Sequence, residues 1–170
     1  MILLGIDPGS RITGFGILKI VENRIRHINH GVILLDPKDS FPVRMKELSQ
    51  AMEVILKKYN PQEVAIEKIF LGKSADSAFK LGHARGVAMA ESARHGAEVL
   101  EYATRKVKKG IVGTGAATKE EVASCLCRLL NLRAISRLDA SDALALATFH
   151  AFQITNPLHP RHRLGEAFSL

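Results

Sequence analysis

MILLGIDPGSRITGFGILKI, residues 1–20, decides how this chain begins to fold. Met1 to Ile6 is apolar at nearly every position, the pattern of a central strand covered by helices on both faces. Asp7 follows at once, and Pro8-Gly9-Ser10 supplies turn chemistry. The carboxylate therefore belongs where the backbone leaves the core. By itself Asp7 reads more simply as a turn former than as a functional acid. Two further strand-like segments follow, TGFGILKI at 13–20 and RIRHINHGVILL at 24–35, with a turn around Glu22-Asn23. Together they predict a three-stranded antiparallel meander.

Beyond the meander the period changes. Met45, Leu48, Met52, Ile55 and Leu56 recur at spacings of three and four within residues 41–59, which predicts an amphipathic helix stopped by Asn60-Pro61. EVAIEK (63–68) reads as a short buried strand, IFLGKS (69–74) as a loop, and Ser74 to His95 as a long helix ended by Gly96. Ala78, Gly82, Gly86 and Ala90 repeat every four residues along that helix, so a second backbone could approach there. Packing on the chain's own sheet is the favoured reading of this stripe, and a dimer contact is the alternative. EVLEY (98–102) is another strand, Thr104 is placed to cap a basic helix, RKVKKGI, and Thr118 with Glu121 forms a capping-box pattern. The final helix starts near Asp139 and includes ASDALALATFHAFQ; His150 on it reads as a packing or surface residue. A meander followed by alternating helix and strand is a mixed α/β layered domain. It is expected over residues 1–155, with a mobile C-terminal tail at 156–170.

Bulk properties narrow the partners. The formal charge is +7 and the pI about 9.6, which favours a polyanion. No apolar run reaches the roughly 18 residues that a spanning helix needs, and the first run lacks the basic start of a secretory signal. The chain is expected in the cytoplasm, with no membrane partner. Cys125 and Cys127 point to opposite sides of a helix and read as ordinary reduced thiols.

Four acids stand in suggestive places. Asp7 and Glu67 each lie where a buried strand emerges. Asp139 and Asp142, three apart, share one helix face about 60° apart. Asp139 could equally be the N-cap and Asp142 a first-turn acid that favours the helix dipole. The helix behind them is apolar on nearly every side, so it is deeply packed and its acidic end faces either water or a cation. Oxygen-only ligands suit magnesium, with manganese able to substitute, and the absence of a paired Cys or His motif argues against zinc. Four clustered carboxylates could hold two ions about 4 Å apart, activating water and neutralising charge on a phosphodiester. If these four are set aside, 24 basic residues face 13 acidic ones, which makes nucleic acid the first partner to consider.

GIDPGSRITGFG at 5–16, AIEKIFLGKSADSAFKLGHARG at 65–86 and DASDALALATFHA at 139–151 resemble, in order and spacing, the RuvC Holliday junction resolvases of bacteria. The resemblance extends over nearly all of residues 1–155. It implies a ribonuclease H-like fold and a homodimer that nicks two strands of a four-way DNA junction at symmetry-related points, using magnesium. Asp7, Glu67, Asp139 and Asp142 take the family's metal-binding catalytic places. Phe70 takes that of an aromatic stacking on an unpaired base, with Lys73 beside it in the same loop, a pair suited to base and phosphate. Lys108 and Lys119 match basic positions near the scissile phosphate or backbone. A RuvA–RuvB branch-migration complex is implied in the same way. Phe15 stands where tyrosine is common, and His83 where glutamine is common. Two competing readings are an actin-like or sugar-kinase ATPase, suggested by Gly5 to Gly9 but too large for 170 residues, and a non-catalytic nucleic-acid binder. A third keeps the fold and changes the substrate to RNA–DNA hybrid or other branched DNA.

Overall fold

The N-terminal strands pair in succession. In the computed structural model, which describes residues 1–68 and 75–156, β1 (Ile2–Asp7), β2 (Ile12–Val21) and β3 (Arg24–Leu34) form the antiparallel meander. Glu22 and Asn23 both adopt positive φ, 51° and 59°, the backbone of a two-residue hairpin whose twist suits its strands. β4 (Glu63–Glu67) joins the free side of β1 in parallel and β5 (Glu98–Tyr102) joins β4, giving the order β3-β2-β1-β4-β5. Parallel neighbours need crossovers. α1 (Phe41–Tyr59) leads into β4, and α2 (Ala75–Arg94) carries the chain from β4 to β5. α1 ends where Asn60 turns left-handed and returns its N–H to the Leu56 carbonyl. α3 (Thr104–Val112), α4 (Lys119–Leu129) and α5 (Leu138–Thr155) complete the domain.

Strand parity divides the core in two. Leu4, Ile6, Ile17, Val64 and Ile66 face Leu48, Met52 and Leu56 of α1 and Ala84 and Ala88 of α2. Leu3, Leu18 and Ala65 face the other way, against Val107, Val122, Leu126 and Leu144. The apolar run of β1 is thus buried on both sides, as a central strand must be.

α5 lies on the sheet at backbone distance. Gly5 and Gly16 are directly paired across β1 and β2, and Gly14 pairs with Asp7. A Cβ on Gly5 would sit 2.0 Å from the Ala143 carbonyl oxygen, one on Gly14 2.0 Å from that of Asp139, and one on Gly16 2.7 Å from the Leu144 Cα. The three glycines form a trough that admits the helix, and any side chain there would hold it off.

Several expectations need correction. Thr104 does not cap α3: it is the first helical residue, and the N-cap, Ala103, makes no side-chain cap bond. Asp139 is not the N-cap of α5 but a first-turn acid behind Arg137, because the helix begins two residues earlier than that cap requires, at Leu138. The small-residue stripe of α2 does not pack on the sheet. Ala84, Ala88 and Ser92 form the buried face, whereas Gly82, Gly86 and Ala90 are exposed. The four-residue period is real but the sheet takes the other face, since two small-residue series run along the same helix. Thr118 and Glu121 do form the capping box of α4. Both cysteines are free. Phe70, Lys73 and the tail from 157 lie outside the described residues.

Candidate active site

Parity decides which way the strand acids point. Asp7 shares the α5-facing side of β1 with Leu3 and Gly5, and Glu67 shares that side of β4 with Ala65. Each stands one residue beyond the parallel Ile6–Ile66 pair, so adjacent strands deliver both carboxylates to one edge. Gly14, opposite Asp7, lets the first turn of α5 descend beside them. The result is a cleft of about 150 Å³ lined by Asp7, Glu67, Asp142, Thr104, Lys108 and Lys119. Asp139 does not line the cleft, but its charge acts on both Asp7 and Lys119.

Each acid has a distinct accommodation. Burial pushes the Asp7 carboxyl up to about 8, with the negative charges of Glu67, Asp142 and Asp139 adding to it and Lys119 opposing. The Thr104 hydroxyl donates to Glu67 Oε1. The Lys119 ammonium bonds Asp142. Lys108 lines the cleft, but its Nζ donates to the Ala117 carbonyl at 2.7 Å, which ties α3 to the start of α4.

Sequence reasoning missed several supporting residues. Thr104 has the residue type of a helix cap, and its orientation toward Glu67 depends on β5 placing α3 beside β4. Arg85 donates through Nε to the Glu67 carbonyl at 3.0 Å and pairs with Glu101, anchoring the end of β4 from α2. Buried Thr13 clamps the turn after Asp7, donating to the Gly9 carbonyl at 2.9 Å and accepting from its N–H at 3.1 Å. The one signal open to inspection was Gly5, Gly14 and Gly16, whose alternation in two strands marks a face reserved for another backbone. His150 is buried, bonded to Glu63 Oε2 at 2.6 Å and Tyr102 Oη at 2.7 Å, which fixes α5 against β4 and β5 and bears out its packing role.

The donor set fits a hard divalent cation. Its ligands would be carboxylate oxygens, and the energetic cost of ionising Asp7 among neighbouring acids is the kind that a cation offsets. Among the described residues no three such side chains yet converge on a single ion position.

A mixed sheet in this order, with acids at the ends of adjacent central strands and on the helix packed across them, defines the ribonuclease H-like class. The model of one family within that class, crossover junction endodeoxyribonuclease RuvC, matches residues 3–150, and the chain belongs to that family. It is 60% identical over 154 residues to the crossover junction endodeoxyribonuclease RuvC of Bdellovibrio bacteriovorus, covering 91% of this chain and 92% of that protein. The RuvC of Pelobacter propionicus is 43% identical, with 95% and 88% covered. Among solved structures, RuvC of T. thermophilus in complex with Holliday junction substrate superposes with a TM-score of 0.84 at 30% identity, covering 91% of this chain and 95% of that one.

Proposed function

We propose that this chain is a divalent-metal-dependent endonuclease that resolves four-way DNA junctions by paired nicks during recombination and repair. The observation that carries the chemistry is the cleft that Asp7, Glu67 and Asp142 line together with Lys108 and Lys119. Family membership and the junction-bound T. thermophilus relative support the substrate.

Asp7, Glu67, Asp142 and Asp139 would hold magnesium, as two ions, with manganese as a substitute. Such ions supply a nucleophilic water near neutral pH and offset charge on the attacking and leaving oxygens. The protein's part is placement. The strand ends fix Asp7 and Glu67, Thr104 and Arg85 hold Glu67, and the glycine trough sets the height of α5 and so of Asp142. Lys119 brings a cation to the mouth of the cleft for phosphate, and Lys108 holds the segment that carries it. Phe70 and Lys73 are proposed, from the family alone, to stack on a base and contact phosphate.

Paired nicks require two sites, and we assign the homodimer contact to α2. Its exposed Gly82 and Gly86 with Ala78, Phe79 and His83 line a shallow groove, and Phe79 is 69% exposed. A protruding ring beside a glycine groove can be self-complementary about a two-fold axis. A RuvA–RuvB branch-migration partner and a cytoplasmic location are proposed from the family alone. No helix among the described residues is long and apolar enough to cross a membrane.

The test is incubation with labelled four-way junction, linear duplex and RNA–DNA hybrid, with and without magnesium. Magnesium-dependent nicking of the junction alone is expected. Asp7→Asn should abolish cleavage while junction binding persists or tightens, because the carboxylate that metal binding would ionise beside the phosphate has gone. Failure to nick any junction sequence would defeat the proposal, and preference for the hybrid would reassign the substrate.

A further inference from the structure

The cleft contains an ion pair that phosphodiester hydrolysis does not itself require. Lys119 is the first residue of α4, and its ammonium is bonded to Asp142, which lines the same cleft. We propose that Lys119 is the internal counter-ion of the metal-free site, and that a divalent cation binding at Asp142 displaces its ammonium and releases it for DNA phosphate. The inference rests on the carboxylates being the metal site.

Two considerations support an exchange. An ammonium and a dication are alternative partners for one carboxylate, because sharing it would bring their like charges within a few ångströms. Asp142 therefore favours one at a time. The backbone under Lys119 is fixed while its side chain is free to move. Thr118 and Glu121 lock the start of α4 through the capping box, and Lys108 holds the Ala117 carbonyl just before it. The Lys119 side chain is 48% exposed, and its four-carbon stem can swing the ammonium without any backbone motion.

The exchange would couple two ligands. The metal-free protein offers DNA one cation fewer, and cation binding completes the phosphate contact, so metal and DNA should each strengthen binding of the other.

Two measurements on the full chain test this. In the first, the wild-type protein is acylated with a lysine-reactive ester, with and without calcium, and modification is located by mass spectrometry. Release predicts a severalfold rise at Lys119 on adding calcium, with Lys108 changing by less than about twofold. In the second, manganese affinity is measured by electron paramagnetic resonance for wild type, Lys119→Met and Lys109→Met. Removing a half-exposed competing ammonium should tighten binding about three- to tenfold in Lys119→Met. Lys109→Met, which removes an exposed cation of α3 that does not line the cleft, should change it by less than about twofold. Equal tightening in both variants would indicate only a general charge effect and would overturn the exchange. So would unchanged Lys119 reactivity, or wild-type affinity in Lys119→Met. No manganese binding by wild type would instead defeat the metal-site reading, and the exchange with it.

Discussion

Asp7 is the residue where fold and chemistry conflict most directly. Its place at the end of a buried strand, among other acids, raises its carboxyl from an ordinary 3.8 to about 8. Between those values the folded chain keeps a proton that the unfolded chain has released. Asp7's contribution to the stability of the metal-free protein is therefore greatest below about pH 4, falls as pH rises toward 8, and levels off above it. A tenfold difference in proton affinity corresponds to about 1.4 kcal/mol, and relaxation of the neighbouring side chains reduces the sum. Denaturation in chelator at pH 5 and pH 8 should show wild type losing about 2 kcal/mol or more relative to Asp7→Asn. Magnesium at pH 8 should recover much of that loss in wild type and little in the variant. Parallel loss in both proteins would place the pH dependence elsewhere. Thr104 carries the complementary lesson: its residue type suggests a cap, yet its hydroxyl serves Glu67 across two elements.

At the scale of elements, the site depends on how closely α5 approaches β1 and β2. Its buried residues are largely small, Ala140, Ala143 and Ala147 among them, and they oppose glycines rather than larger side chains. Gly5→Ala would place a Cβ 2.0 Å from the Ala143 carbonyl oxygen and 2.8 Å from the Ala147 nitrogen. Neither backbone atom can yield without moving the helix. The substitution should cost about 3 kcal/mol, at or above the usual range for overpacking, measurable by urea denaturation. Junction cleavage should fall further than the loss of folded protein explains, since α5 carries Asp139 and Asp142. An Ala variant with wild-type stability and activity would show that the trough is not a constraint. The buried Glu63–His150–Tyr102 cluster acts at the opposite end of the same contact and gives a nearly featureless apolar helix a defined position along the sheet.

At the scale of the molecule, one site cannot produce paired nicks. The exposed stripe of α2 is the proposed meeting surface, and the +7 charge favours a polyanion across the assembly. Gly82→Arg introduces a long charged side chain where a Cβ would meet nothing within 4 Å among the described residues. The fold should tolerate it and the dimer should not. Sedimentation is expected to show a monomer with wild-type helix content, and junction cleavage should leave singly nicked product. A dimer that survives Gly82→Arg would move the interface away from this stripe.

The strands and helices, the central place of β1 and the strand-end places of Asp7 and Glu67 were legible in the amino-acid order alone, because periodicity and turn chemistry are local. The meander, the stop at Asn60 and the α4 capping box all follow from residues within a few positions of one another. Direction and partnership came only with the packed chain. Two small-residue series on α2 are equivalent until the sheet selects Ala84 and Ala88. A threonine beside a helix start can cap it or reach outward, and β5 decides the matter by setting α3 next to Glu67. Gly5, Gly14 and Gly16 acquire their meaning only when β1 pairs with β2 and α5 descends onto them. Contacts between residues 23 or 37 positions apart, such as Lys119 with Asp142 and Thr104 with Glu67, depend on packing that no local pattern encodes.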